Sequence, residues 1–406
     1  MLRKTRLFTP GPTPLLPAAQ AAMATREFHH RTADFRALYT RVLEDLQMFI
    51  GTGNDVVLLA SSGTGAMEAT VSNLTSPGDR VLVLSAGKFG ERWRELAKAF
   101  GCAVDMVSAP YGETFTTEAV REKLKEVEPR VLYMQATETS TGVRHDVAAV
   151  AKLLRSSKDT LLVVDAITGL GTTELNVDGW GVDIILGGSQ KALMIPPGLA
   201  YLAVSDRAWK RMESARSPRY YFDLRKERKA AELGESAYTP ATSLVAALAA
   251  ALDYLRTVGD GEIEEGRKAL IANAELAAEM TQAAAAALRL KLFASQPAAA
   301  LTAIEPPAGV DSGVIVRDLR ENFGAIVANG QGEMKGKLFR VSHMGYYDYV
   351  DTMGMIGALE HAVARAMRPR HIEIGAGLSA AQALYARAES FIEPKKPRGR
   401  ARTSDD

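Results

Sequence analysis

The sequence predicts an α/β fold: a large domain with a mainly parallel, seven-stranded, doubly wound sheet, then a smaller α+β C-terminal domain. Three observations carry this. Seven apolar runs recur between residues 55 and 205, most are nearly continuous rather than alternating, and helical patterns separate several of them. Continuous apolar runs are how strands covered on both faces read, and such sheets are mostly parallel. Strands alternating with helices put those helices on the two faces of one sheet.

The runs, in order, are DVVLLA (55–60), RVLVLSA (80–86), AVDMVSA (103–109), RVLYMQA (130–136), TLLVVDA (160–166), VDIILGG (182–188) and LAYLAVS (199–205). TGAMEATVSNL and FGERWRELAKAFG read as helices between them. Only a short Pro-Gly loop separates the last two runs, which suits an antiparallel pair. Beyond residue 206 the texture changes. RYYFDLRKERKAAELGESAY is charged, a surface helix or irregular segment. TPATSLVAALAAALDYLRTVG predicts a helix with Thr239 as N-cap, Pro240 in the first turn and Gly259 at its end. GRKALIANAELAAEMTQAAAAALRLK is a long Ala-rich helix, favoured by propensity, that can bridge two domains. The stretches ending in ALTAIEPP, GVIVRDLRENFG and GKLFRVSHMG then read as strand, helix and strand.

The domain reading is an N-terminal segment over 1–15, a large domain over 16–260, a small domain over 261–370 and an extension over 371–406. EPKKPRGRARTSDD, almost without apolar residues, predicts a disordered basic tail. There is no internal repeat. Forty-nine basic residues balance 48 acidic ones, so charge gives no reason to expect nucleic acid or an anionic membrane as partner. One cysteine, Cys102, excludes intrachain disulfides and fits a reducing cytoplasm. No secretion signal precedes the first prolines, and no apolar run reaches the ~20 residues that span a bilayer.

Three stretches could carry chemistry. In LLASSGTGAMEA a strand runs into a Ser-Gly turn and a helix; free helix-start amides and small hydroxyls at Ser62, Gly63 and Thr64 make a phosphate seat, or serve only the turn. The third glycine of a dinucleotide fingerprint is missing. In TLLVVDAITGLG, Asp165 closes an apolar strand, where a carboxylate needs a cation or donors; it is a helix cap, a structural pair or a counter-ion for a protonated heterocycle. In GGSQKALMIPPG, Lys191 emerges after another apolar strand, as a surface charge, a phosphate clamp or a Schiff-base nucleophile. His29 and His30 have no third ligand at useful spacing, so no metal site is expected. A phosphate seat, a strand-end acid and a strand-end amine on one sheet edge match pyridoxal 5′-phosphate, which offers a phosphate, a pyridine nitrogen and an aldehyde.

At these residues the sequence resembles the class V aminotransferases of fold type I, near the alanine–glyoxylate and serine–glyoxylate enzymes. The resemblance covers about residues 5–365, through FTPGPTPLLP, HHRTADF, SSGTGAMEA, KFGERW, ETSTGV, VVDAITGLG, GGSQKALMIPPG, TPATSL and GQGEMKGKLFRVSHMGYYD. It implies that Lys191 holds the cofactor aldehyde as an imine and moves the substrate Cα proton, while Asp165 pairs with the pyridine nitrogen. It implies that Phe89 stacks on the ring, that Ser62, Gly63, Thr64 and Gln190 contact the phosphate and cofactor, and that Ser140 lies near the phenolic oxygen. Arg340 grips the substrate α-carboxylate, since a guanidinium offers two oxygens a planar pair of donors. Gly11 belongs to a segment at the substrate mouth. Thr239 reaches the phosphate of the neighbouring subunit of a homodimer; Ser236 stands where one branch has a tyrosine, with Tyr238 nearby. The implied activity is ping-pong transamination from a small amino acid, alanine or serine, to glyoxylate or pyruvate in the cytoplasm. The alternatives are an aspartate-type aminotransferase, a class V lyase or desulfurase, and a non-catalytic subunit that keeps the fold. Gln190 ahead of the lysine, and Cys102 outside any mobile loop, set the chain apart from desulfurases.

Overall fold

The structure is a computed structural model that describes residues 3–25, 29–155, 157, 159–368 and 372–389. In chain order its strands are β1 (Arg6–Phe8), β2 (Asp55–Leu59), β3 (Arg80–Ser85), β4 (Ala103–Ser108), β5 (Val131–Gln135), β6 (Thr137–Glu138), β7 (Val143–Arg144), β8 (Leu161–Asp165), β9 (Ile184–Gly188), β10 (Ala200–Val204), β11 (Leu301–Ile304), β12 (Ala325–Asn329) and β13 (Phe339–Ser342). The seven apolar runs form one sheet in the order β2-β10-β9-β8-β5-β3-β4. β10 is antiparallel to both of its neighbours, β2 and β9; the other pairs are parallel.

Continuous apolarity follows from burial on both faces. Leu161 and Val163 pack with the helices Gly63–Leu74, Lys88–Ala99 and Asp206–Ser214. Leu162 and Val164 face the helices Ala33–Ile50, Val147–Leu154 and Thr242–Val258. Local chemistry sets several helix starts. Thr32, Thr116, Asp146 and Ser205 each accept a first-turn amide with the side chain. The parallel run of β5, β8 and β9 has one consequence for function. It brings their carboxyl ends, Gln135, Asp165 and Gly188, to one sheet edge, with Gln135 register-paired to Asp165.

The helix expected from Thr239 onward starts later than the sequence suggests. It spans Thr242–Val258 with Ala241 at its N-cap, so Thr239 is not the cap and Pro240 is outside the first turn. A proline disfavours helical backbone in the residue before it, and a bond from Thr242 N to Pro240 O (2.9 Å) makes a turn that postpones the helix. Gly259 does end it.

The second sheet has the order β1-β12-β13-β11. Its first strand comes from the N-terminal segment, with Arg6 opposite Ala325. Phe8, Ile304, Ile315, Phe339, Val341 and Leu359 form its core. The helix Ile263–Ala287 packs on Ala33–Ile50 and Thr242–Val258 toward one sheet and on β11 and Tyr349–Ala366 toward the other. The extension contributes a helix, Ala376–Glu389; the basic tail at 393–406 is outside the described residues. Among the described residues no helix is long and apolar enough to cross a membrane.

Candidate active site

Asp165 is buried at the end of β8, and its Oδ1 accepts one bond, from Ile167 N at 3.0 Å. Burial pushes its carboxyl up to about 7, against the pull of that amide; nearby Glu138 pushes the same way, and Lys191 and Arg92 oppose it. Lys191 is buried too. Burial pulls its amine down to about 8, with Asp165 opposing and Arg340 reinforcing. Its Nζ donates to the carbonyl of Pro10. The two strand-end groups of the sequence reading thus meet within electrostatic range at one sheet edge.

The N-terminal segment lies directly over the lysine. Thr13 Oγ1 donates to the carbonyl of Lys191 at 2.9 Å, and Thr13 N to that of Gln190 at 3.2 Å. A Cβ on Gly11 would stand 2.5 Å from Lys191 Nζ, so only glycine lets this segment pass so close. Gly63 serves the same purpose elsewhere: a Cβ there would meet Ile167 Cδ1 at 2.4 Å. That contact seats the start of Gly63–Leu74 against the loop after Asp165. Ser62 is the N-cap of this helix, makes no side-chain cap bond, and has no acidic residue in the turn that follows.

Phe89 lies in the first turn of Lys88–Ala99, half-buried. Its position depends on Glu138, a buried carboxylate the sequence reading passed over. Glu138 Oε2 accepts from Phe89 N and Gly90 N, both at 3.1 Å; Oε1 accepts from Ser140 N at 3.1 Å and from Ser140 Oγ at 2.5 Å. Ser140 Oγ in turn accepts from Lys88 N at 3.1 Å. The acid therefore caps the helix that carries Phe89 and fixes the Ser140 hydroxyl. Burial raises its carboxyl despite these donors.

Arg340 is buried on β13, and its terminal nitrogens donate to Thr139 O at 2.9 Å and Asn329 O at 2.7 Å. Its Nε has no partner among the described residues. Burial draws the guanidinium down to about 10, with Glu138 opposing. Of the five N–H donors of an arginine, several stay available to an incoming carboxylate.

The remaining sequence candidates separate. Gln190 is next to Lys191, with its Oε1 buried and without a partner. Thr239 is exposed, beside Tyr238, which stacks on Tyr221 with ring centroids 5.0 Å apart. Ser236 Oγ donates to Tyr238 O at 2.6 Å and Tyr238 Oη to Tyr220 O at 2.9 Å, so both hydroxyl hydrogens are committed. His29 and His30 stack at 4.8 Å, and among the described residues no three potential metal ligands cluster. Besides Glu138, the sequence reading missed Gln135, whose two amide atoms are buried without partners beside Asp165. Its signal was a polar residue closing an otherwise apolar strand.

These residues fit pyridoxal phosphate. A buried, partly deprotonated amine suits its aldehyde, a buried acid its pyridine nitrogen, and an uncapped helix start its phosphate. The orphaned Gln190 oxygen is a valence left for something other than protein, since an unmet buried polar atom costs ~1–3 kcal/mol.

Comparison with known proteins gives the same direction. The family model described as aminotransferase class V matches residues 18–331. The chain is 37% identical to the soluble hydrogenase 42 kDa subunit of Anabaena cylindrica, over 94% of this chain and 99% of that one. It is 32% identical to a serine–glyoxylate aminotransferase of Methylorubrum extorquens, over 88% and 90% of the two chains. Among solved structures, a subgroup IV aspartate aminotransferase from Thermus thermophilus aligns with a TM-score of 0.82 and 35% identity, covering 89% of this chain and all 100% of that one.

Proposed function

The chain belongs to the class V aminotransferases, pyridoxal-phosphate enzymes of fold type I, and from that premise we propose that it moves the amino group of alanine or serine to glyoxylate or pyruvate. Bound pyridoxal phosphate supplies the electron sink for the pair left when a Cα proton departs. The chain supplies the rest. Lys191 Nζ would take the proton from the substrate Cα and deliver it to what was the aldehyde carbon of the cofactor, and would carry it the other way in the opposite half-reaction. Its lowered pKa leaves about a tenth of the amine neutral at pH 7, against roughly one in a few thousand for an ordinary lysine. Asp165 keeps a proton on the pyridine nitrogen; charge there relieves the cost of its own burial. Arg340 holds the substrate α-carboxylate with N–H groups not spent on Thr139 and Asn329. Ser62, Gly63, Thr64 and Gln190 seat the phosphate, Phe89 covers the ring face, and Gly11 with Pro10 closes the mouth and excludes water.

One observation carries the reading: a buried amine and a buried acid, coupled to each other, at the carboxyl edge of a parallel sheet. The protein is further proposed to act as a cytoplasmic homodimer, with Thr239 serving the neighbouring subunit's phosphate. The support is its exposure next to Tyr220 and Tyr221, both exposed large aromatics. The Thermus relative's name supports an aspartate donor as a second reading.

A half-reaction screen decides among these. Holoenzyme is mixed with single amino acids, and absorbance follows conversion of the bound cofactor from its aldehyde to its amine form. Conversion by alanine or serine, reversed by glyoxylate, is the expected result. Conversion by aspartate alone selects the second reading, and sulfide release from cysteine selects a desulfurase. A colourless protein that binds no cofactor would favour a non-catalytic subunit; the Anabaena relative carries the name of a hydrogenase subunit.

A further inference from the structure

Two guanidiniums near the site have no carboxylate at ion-pair distance among the described residues. Elsewhere arginines of comparable burial are matched, as Arg211 is with Asp79, Arg256 with Asp45 and Arg365 with Asp318. One of the two is Arg340, whose proposed anion is the substrate carboxylate. The other is Arg92, which the sequence reading did not single out.

Arg92 is half-buried, one turn along Lys88–Ala99 from Phe89, so the two share a helix face. Its guanidinium carbon lies 4.8 Å from the Phe89 ring centroid, a cation–π contact that fixes the side chain against that ring. One terminal nitrogen donates to Thr64 Oγ1 at 3.0 Å. Thr64 is the second residue of Gly63–Leu74, in the uncapped turn. The side chain thus runs from the ring proposed to cover the cofactor to the turn proposed to hold its phosphate.

That turn lacks charge. Ser62, Gly63, Thr64 and Gln190 are neutral, whereas a phosphate monoester carries roughly two negative charges at pH 7. A helix start offers only about half a positive charge. A guanidinium adds a full charge and donors spaced for two phosphate oxygens. We propose that Arg92 is the counter-charge of the cofactor phosphate, joining Thr64 in binding it while resting on Phe89. This rests on the phosphate seat proposed above.

The test compares two ligands that differ only in the phosphate. Equilibrium dialysis measures retention of pyridoxal phosphate and of pyridoxal by wild type, Arg92→Met and Arg92→Gln. Methionine keeps a flexible chain on Phe89 without charge; glutamine keeps a donor for Thr64 without charge and serves if the first variant fails to fold. Either variant is expected to weaken pyridoxal phosphate by about 10–100-fold, the range of a lost charged hydrogen bond, and pyridoxal by under about threefold. Equal losses for both ligands would reduce Arg92 to a prop for Phe89 and overturn the proposal. If wild type strongly prefers the phosphorylated ligand and the variants keep that preference, Arg92 alone is refuted. If wild type itself shows no preference, the seat falls and Arg92's role with it.

Discussion

Asp165 and Asp183 are both buried, and they stand at opposite ends of the seven-stranded sheet. Asp183 precedes β9 at the amino edge. It accepts from Leu162 N and Ser205 Oγ, both at 2.9 Å, and has Arg207 within 3.6 Å. Asp165 closes β8 at the carboxyl edge and accepts from a single amide. Burial raises both carboxyls, but only Asp183 has a cation of its own at ion-pair distance. The difference separates two uses of the same side chain. An acid that serves the fold has its valences met by the fold. An acid that serves a ligand keeps one open, and its neighbours Gln135 and Gln190 repeat the pattern with buried, unpartnered amide atoms.

The largest effect is expected where the open valences meet. Lys191→Ala should lower transamination about 10⁴-fold, the upper range for a lost acid–base group, and borohydride should no longer fix the cofactor to the chain. Full turnover in that variant would dissolve the contrast between the two edges. Next come the two aspartates themselves. Asp165→Asn should cost roughly 10²–10³-fold in kcat with little change in melting temperature, because the charge that acts on the ring is lost. Asp183→Asn should leave kcat within about twofold and lower stability by ~1–2 kcal/mol, because a matched acceptor is lost. Denaturant titration and steady-state kinetics on both variants should show the two effects crossing; matching profiles would contradict the distinction.

How much of this was legible in the sequence follows from the same contrast. Asp165 and Lys191 end apolar runs, and a charge at such a point cannot hide in a pattern; the sheet itself was readable for the same reason. Gln135 gives the same strand-end signal without a charge; Glu138 and Arg92 were not legible, because their meaning depends on burial and on partners from other segments. Glu138 sits in a polar stretch, ETSTG, where a carboxylate looks solvated until the helix Lys88–Ala99 is placed on top of it. The pairing of Arg6 with Ala325 joins residues hundreds of positions apart, beyond any local signal. Thr239-Pro240 imitates a helix start; the turn that delays the helix depends on backbone geometry which propensity does not specify.

Glu138→Gln sharpens the comparison at a smaller scale. The amide can keep one of the two oxygen positions but repels N–H donors at the other, so the cap on Phe89 and Gly90 or the hold on Ser140 is lost. We expect kcat to fall about tenfold, with a changed absorbance of the bound cofactor and a KM for the amino acid within about threefold. A merely structural acid would shift the melting temperature and leave the spectrum of the folded holoenzyme as it was. The lysine adds a pH test on the cofactor-free protein. Only a neutral amine attacks an aldehyde, and burial lowers the Lys191 amine to about 8. Capture of the cofactor, trapped with borohydride, should therefore quicken about tenfold per pH unit up to pH 8 and level off above it. A rise continuing toward pH 10 would mean an ordinary, solvated lysine.

The smallest effect belongs to the other edge. Cys102 sits just before β4, at the amino end of the sheet, with its backbone N bonded to Ala97 O at 3.0 Å. Burial pushes its thiol up, so it is held as the unreactive acid rather than as a thiolate. The strand that follows has six residues, which puts the thiol about 20 Å from the edge that bears Asp165 and Lys191. A desulfurase needs a thiolate that reaches its substrate, and neither protonation state nor position allows that here. Cys102→Ser should therefore keep transamination within about twofold and should not change how cysteine is processed. If that variant lost turnover while remaining folded, chemistry would be reaching the amino edge, and the assignment of one edge to the fold and the other to the ligand would fail.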